Sequence, residues 1–235
     1  MSTMVEHTIK AFDADLQALA SMVAEMGGLA EKQIADSVDA LARRDSTLAQ
    51  RVIAIDPTVD NLQREIEEKA ILTIARRQPM AVDLREVVGA LRLSNDLERI
   101  GDLAKNIAKR VVALDGEISF SQVIRGVEQM TKLVLGQLKQ VLDSYARRDV
   151  PKALEVWRGD EEIDAVNNSL FRELLTYMME DPRNITQCTH LLFCSKSLER
   201  VGDHATNIAE AAFYLDTGRQ MSEERDELHR TQIKE

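Results

Sequence analysis

Four pairs of acidic residues stand four positions apart in this chain: Asp56 and Asp60, Glu98 and Asp102, Asp160 and Asp164, Glu199 and Asp203. On a helix, positions i and i+4 share one face, one turn apart. Like charges at that spacing cost an isolated helix a few tenths of about a kcal/mol. At ~4 Å and an effective dielectric of ~20 the repulsion rises to about 4 kcal/mol, an upper range for exposed groups. A hard cation reverses that sign, and carboxylates and carbonyl oxygens suit Mg²⁺, Mn²⁺, Ca²⁺ or iron. If the helices bearing these pairs lie side by side, four carboxylates converge in each half of the chain, enough for a polynuclear metal site. Asn106 and Asn207 extend two of the rows by a further turn and add amide oxygens. The competing reading is a solvated surface. Lys105 stands three residues after Asp102 and is placed to pair with it, whereas Thr206 takes that place in the second half.

The elements that position these residues follow from the apolar period. Leu16, Leu19, Val23, Met26, Ala30, Ile34, Val38 and Leu41 recur at spacings of three and four, which predicts a helix over about residues 6–43. A short segment over 46–55 comes next. Asp56-Pro57 has the form of a helix start, with Asp as N-cap and Pro at the first helical position, so Asp56 has a capping role open to it as well. That helix is expected to end before Pro79, and another to cover about residues 82–114. The pattern then repeats: a long helix over about 120–146, a short one around Leu154 and Trp157, one over about 161–180 stopping before Pro182, and a last over about 185–215.

On a wheel of about 100° per residue, Leu93, Leu97, Ile100, Ala104, Ile107 and Val111 fall together as a core seam. Ser94, Glu98, Asp102 and Asn106 fall on the opposite side. Cys194, Leu198, Val201, Ala205, Ile208 and Ala212 against Ser195, Glu199, Asp203 and Asn207 reproduce the division. Both polar rows are therefore expected to face outward. Gly101 and Gly202 stand between the acids of their rows. A mid-helix Gly costs about 1 kcal/mol against Ala, so each marks either close approach by a backbone, metal or partner, or a tight crossing within its own bundle.

The repetition extends to letters. Arg43-Arg44-Asp45 returns as Arg147-Arg148-Asp149, and SNDLERIGDLAKNIA (94–108) returns as SKSLERVGDHATNIA (195–209), identical at 10 of 15 positions. Units of about 100 residues are longer than solenoid repeats, and each can build a three-helix bundle with its own core. The expected architecture is all-α: two pseudo-symmetric three-helix bundles, over 1–115 and 116–217, with a charged, aperiodic and loosely held tail over 218–235.

Composition removes several classes. Apolar residues make up 44% and charged residues 30%, as in an ordinary folded domain, and only 10 Gly and 4 Pro occur. The net charge of −10 is shared by both halves, −4 over 1–115 and −6 over 116–235. No basic face is apparent, so nucleic acid is not an expected partner; an acidic surface suits cations or basic protein surfaces. No run of 18 apolar residues exists and the N-terminus is charged from residue 6, so neither a membrane span nor a signal peptide is expected. Peripheral docking stays open. Cys188 and Cys194 lie six apart, point in different directions on a helix and are not expected to bridge, in keeping with a reducing cytoplasm.

The stretch Asp96-Leu97-Glu98-Arg99-Ile100-Gly101-Asp102 and its echo Ser197-Leu198-Glu199-Arg200-Val201-Gly202-Asp203 resemble the signature of the PhoU family. So do Ala75-Arg76-Arg77-Gln78-Pro79 ahead of Asp83-Leu84-Arg85, MVAEMGG over 22–28 and TYMMEDP over 176–182. The similarity spans residues 7 to about 217; the tail carries no family motif. The resemblance implies two related three-helix bundles. It implies acidic motifs that bind multinuclear metal clusters in some members, iron and zinc among the metals; carried over, these are Asp56, Asp60, Glu98, Asp102, Asp160, Asp164, Glu199 and Asp203. With manganese and magnesium also suited to oxygen donors, the metal identity stays open. It further implies a non-catalytic homodimeric adaptor in the cytoplasm, linking the ATPase subunit of the phosphate ABC transporter to a PhoR-type sensor kinase and keeping phosphate-starvation genes silent when phosphate is plentiful.

Two alternatives compete. A helical di-metal carboxylate enzyme needs Glu-x-x-His on core helices, and none of His7, His190, His204 and His229 has Glu three residues before it. His204, beside Asp203, is read as a solvent-exposed surface residue rather than a ligand. A metal-free structural scaffold differs from the main reading only at the acidic rows.

Overall fold

The computed structural model describes residues 2–114 and 120–221, with side chains from residue 11 onward, Asp160 excepted. Among these described residues seven α-helices follow one another: α1 (Ser2–Arg43), α2 (Ser46–Arg77), α3 (Val82–Ala113), α4 (Ser121–Arg147), α5 (Val150–Arg158), α6 (Asp160–Glu180) and α7 (Ile185–Thr217), with a 3₁₀ turn at Pro182–Asn184 before α7. Helices α1, α2 and α3 pack on one another as a first bundle; α4, the α5–α6 pair and α7 form the second. The bundles join through α3 against α7 and α1 against α4.

The recurring Arg-Arg-Asp builds the same corner twice. Arg44 and Arg148 adopt left-handed backbone, φ 55° and 54°, ending α1 and α4. The next residue then caps the following helix: Asp45 accepts from the Leu48 N–H at 2.9 Å and Asp149 from the Lys152 N–H at 3.2 Å.

The expected start at Asp56-Pro57 does not occur. Helix α2 runs unbroken from Ser46, with Pro57 inside it and Asp45 as the cap. Helix continuity wins because Ala49, Val52, Val59 and Ile66 are all buried against the bundle. Burying that stripe outweighs the one backbone bond that proline cannot make. In the second half the chain does break: α5 ends at Arg158, Gly159 intervenes, and α6 begins at Asp160.

The apolar seams are where the period puts them. Leu93, Leu97, Ile100, Ala104 and Ile107 are fully buried, as are Cys194, Leu198, Val201, Ala205 and Ile208. Both cysteines are free and buried. No helix among the described residues is long and apolar enough to cross a membrane. The segment after α7 does not begin loosely: Gly218 closes the helix with φ 71°, its backbone against Arg85, and Met221 is buried. Residues 222–235 of the expected tail lie outside the described residues, as does Gly116 between the bundles.

Candidate functional site

The acidic rows do not face bulk solvent along their length. Ser94 and Ser195, at the head of each row, are fully buried, Glu98, Asp102 and Glu199 are half-buried, and Asp203, Asn106 and Asn207 are exposed. The reason lies in the neighbours. Helix α2 packs along α3, and α6 along α7, so each row opens into the groove between two helices instead of away from the bundle. Ser195 Oγ donates to Asn167 Oδ1 of α6 at 2.6 Å across that groove.

In the first bundle α2 and α3 bring their acids together around a lysine. Lys105 Nζ sits 2.5 Å from Asp56 Oδ2 on α2 and 2.9 Å from Asp102 Oδ1 on its own helix. Asp56 is only 6% exposed, so its charge is answered almost wholly by this ammonium. The bond to Asp56, strong enough to override burial, and the adjacent Asp102 hold the Lys105 amine protonated far above its usual range. Arg99 brackets the row, 3.3 Å from Glu98 Oε2 and 3.5 Å from Asp102 Oδ2. Glu98 Oε2 nonetheless is buried and has no hydrogen-bond partner. Burial first, then the charges of Asp102, Asp60 and Asp56, push the Glu98 carboxyl above its ordinary range, against the pull of Arg99. The four acids of the first half therefore share one electrostatic neighbourhood.

The second bundle repeats the row without the central cation. Thr206, in the place of Lys105, donates its hydroxyl to the Gly202 carbonyl of its own helix at 3.1 Å. Lys196 pairs with Glu199 at 2.5 Å from one turn earlier on the same helix, and its side chain is 56% exposed. Burial, Glu199 and Asp164 raise the Asp203 carboxyl, with His204 and Lys196 opposing. Glu199 Oε2 is buried without a hydrogen-bond partner, as its counterpart Glu98 is. Asp164 is exposed; Asp160 begins α6, and its side chain lies outside the described residues. Among the described residues, no group of three His, Cys, Asp or Glu side chains is gathered closely enough to hold a metal ion.

Gly101 answers the question its position raised. A Cβ there would lie 3.0 Å from Gln33 Oε1 of α1 and 3.5 Å from Val59 Cγ1 of α2. It marks a crossing inside its own bundle. Gly202 is likewise buried.

Several contacts escape a reading of the sequence by faces. Gln33 and its repeat counterpart Gln137 interrupt the apolar seams of α1 and α4 and are buried there. Gln137 Nε2 donates to the Val156 carbonyl at 3.1 Å, while both polar atoms of Gln33 are without partners. Their polarity at core positions was the available signal. His204 is not a free surface residue: its Nδ1 lies 2.8 Å from Asp96 Oδ1 of α3, with Asn207 Nδ2 donating to the same oxygen at 3.4 Å. Arg110 covers the Phe193 ring at 4.3 Å and Arg92 the Tyr214 ring at 5.5 Å. Residue numbers rise along α3 as they fall along α7 through these contacts, so the helices joining the bundles are antiparallel.

Comparison with known proteins agrees with this architecture. A family model described as the PhoU domain matches twice, over residues 23–111 and 127–212. The chain is 58% identical over 219 residues to the phosphate-specific transport system accessory protein PhoU homolog of Rhizobium meliloti, covering 93% of this chain and 92% of that one. It is 54% identical over 225 residues to the homolog of the same description from Caulobacter vibrioides, covering 96% and 98%. Its fold superposes on the crystal structure of PhoU from Pseudomonas aeruginosa with a TM-score of 0.85 at 41% identity, over 88% of this chain and 100% of that one. On the phosphate transport system regulatory protein PhoU from Streptococcus pneumoniae the TM-score is 0.82 at 30% identity, over 89% and 99%. Two matched bundles, each with its acidic row beside a neighbouring helix, and a family model that fits both halves lead to one conclusion: the chain belongs to the PhoU family.

Proposed function

We propose that this protein is a non-catalytic regulator of phosphate uptake and of phosphate-starvation signalling. The observation that carries the reading is the doubled PhoU domain, shared nearly end to end with relatives described as accessory proteins of the phosphate-specific transport system. In this reading a cytoplasmic homodimer contacts the ATPase subunit of the phosphate ABC transporter and a PhoR-type sensor kinase. It docks on them at the membrane surface and restrains signalling when phosphate is abundant. The acidic rows suit recognition better than turnover. Asp203 and Asp164 are exposed, and chemistry on bound substrate favours a closed site.

The same rows are the proposed metal sites. The support is electrostatic rather than geometric: no three such side chains are gathered among the described residues, but a cation at the second row would relieve the crowding by which burial, Glu199 and Asp164 raise the Asp203 carboxyl. Iron, zinc, manganese and magnesium are the candidates. A bound ion would supply positive charge to the row and draw the two helices together.

The test is genetic. A deletion strain should express alkaline phosphatase and the high-affinity phosphate transporter in phosphate-rich medium. Complementation with the wild-type gene should restore repression. Normal repression in the deletion strain refutes the proposal.

A further inference from the structure

We infer that α2 is a hinged helix with two states: the straight one of this structure, and one interrupted at Asp56-Pro57 as its counterpart in the second bundle is interrupted at Gly159. The hinge is independent of whether a metal binds the acidic rows. One sequence unit, written twice, takes two shapes. In the second bundle the stretch from Val150 to Glu180 is two helices, α5 and α6, parted at Gly159. In the first, the matching stretch is the single helix α2. Ile55 stands where Gly159 does, and the pair that follows it, Asp56-Pro57, has the residue types that start a helix. The straight state therefore carries a proline whose ring crowds the carbonyl of Ile53, four residues back, and offers that carbonyl no N–H.

Two buried glutamines carry the difference into the core. Where α5 stops, the Val156 carbonyl accepts the Gly159 N–H at 3.1 Å and Gln137 Nε2 at 3.1 Å. Gln33 occupies the matching place on α1, is 1% exposed, and has no partner for either polar atom. The carbonyl equivalent to that of Val156 is that of Val52, which lies inside the unbroken α2. Interrupting α2 at Asp56 takes the Asp56 N–H from this carbonyl and leaves it to the Gln33 amide, the bond that the second bundle already makes. A buried amide without a partner is destabilising. Its satisfaction and the relief of the proline both favour the interrupted state.

Lys105 holds the helix straight. From α3 its ammonium binds Asp56 Oδ2 at 2.5 Å and Asp102 Oδ1 at 2.9 Å, and charge-assisted bonds of this kind are the strong ones. A carboxylate held there is turned away from the backbone N–H groups that it would cap after an interruption. In the second bundle Thr206 stands in place of Lys105 and donates to the Gly202 carbonyl of its own helix, and there the matching helix is parted. Interruption of α2 leaves the Lys105 ammonium to Asp102 alone, so the groove between α2 and α3 presents a different charge in each state.

The experiment measures the distance between spin labels on the full chain, at Arg51→Cys and Glu68→Cys, exposed positions on either side of Pro57. Cys188 and Cys194 are buried, so the label goes to the introduced cysteines, and circular dichroism checks folding. A reference pair at the matching exposed positions, Glu155→Cys and Arg172→Cys, spans Gly159 and gives the distance across a parted helix. A straight helix sets residues 51 and 68 about 25 Å apart along its axis, and this distance should dominate with the native Lys105. Lys105→Met should raise the ratio of the reference distance to the straight one about tenfold or more, and adding Pro57→Ala should remove the reference distance again. In hydrogen exchange of the unlabelled chain, the N–H groups of Asp56 and Thr58 should exchange about tenfold or more faster than those of Val52 and Gln63. Gln33→Met, which removes the amide that the interrupted state satisfies, should slow them. A single straight distance in a folded Lys105→Met variant, or exchange at Asp56 and Thr58 that Gln33→Met leaves unchanged, overturns the hinge. If Lys105→Met does not fold, the exchange of wild type and Gln33→Met decides alone.

Discussion

Pro57 offers a direct test of how the first acidic groove is built. Two architectures place Asp56 differently: as the cap of a helix starting at Pro57, or as a mid-helix residue whose carboxylate crosses to Lys105. The structure has the second, with Pro57 well inside α2 (Ser46–Arg77) and exposed. A helix-interior proline costs about 3 kcal/mol, since it lacks the N–H that would bond four residues back and its ring crowds that carbonyl. Replacing it also frees the unfolded chain, which takes back about 0.4–1 kcal/mol. Pro57→Ala should therefore stabilise the protein by about 2 kcal/mol, a rise in Tm of about 4–8 °C for a chain of this size. Urea denaturation followed by far-ultraviolet circular dichroism measures it, with an unchanged m-value showing that the surface exposed on unfolding is the same. The matched control is Glu161→Pro. This is the counterpart of Pro57 in the second half and the second residue of α6 (Asp160–Glu180), a first-turn position where proline is tolerated. It should be close to neutral. A neutral or destabilising Pro57→Ala refutes the continuous helix and returns Asp56 to the role of a cap.

Three further outcomes follow from named contacts. Asp15 on α1 holds Arg77 at 3.1 Å and Lys69 at 3.4 Å at the far end of α2; burial raises its carboxyl, but the hydrogen bonds from Arg77 and Lys69 outweigh burial and hold it below the ordinary carboxylate range. That contribution is present above the unfolded value of 3.8 and is lost as pH falls through the folded one. Asp15→Asn should accordingly cost about 1 kcal/mol at pH 7, and the gap from wild type should close in acid denaturation curves taken at successively lower pH. His204→Leu, which installs the residue found at the equivalent position 103, removes the 2.8 Å partner of Asp96 and should cost about 1–3 kcal/mol; the double variant Asp96→Ser/His204→Leu should recover most of the loss, and strict additivity in that cycle would show that the two groups do not interact. Burial raises the Cys188 thiol and pushes that of Cys194 up to about 12, so a thiol reagent at pH 8 should leave the native protein unmodified and count two cysteines after denaturation; rapid native reaction at Cys194 would mean that α7 does not bury it.

The order of residues alone carries information that is local and periodic. The three-and-four spacing assigned Leu93, Leu97, Ile100 and their counterparts to the core, because a helix repeats every 3.6 residues whatever packs on it. The repeated letters revealed the duplication, and the repeated Arg-Arg-Asp marked the corner that the structure builds twice with left-handed Arg44 and Arg148. The motifs around Glu98 and Glu199 were enough to identify the family. Packing between helices settled the rest. A helical wheel shows Ser94 and Glu98 opposite the seam but not that α2 lies along that side, so the row reads as outward when its head is buried. Lys105 stands three residues from Asp102 in the sequence, yet its shorter contact is to Asp56, 49 residues away on another helix. His204 finds Asp96 at a separation of 108 residues. Pro57 carries a strong local signal for a helix start, and tertiary burial of Val52, Val59 and Ile66 overrides it. Sequence spacing defines which side chains share a face. Only the crossing of helices decides what that face meets, because the energy that chooses the crossing belongs to surfaces far apart along the chain.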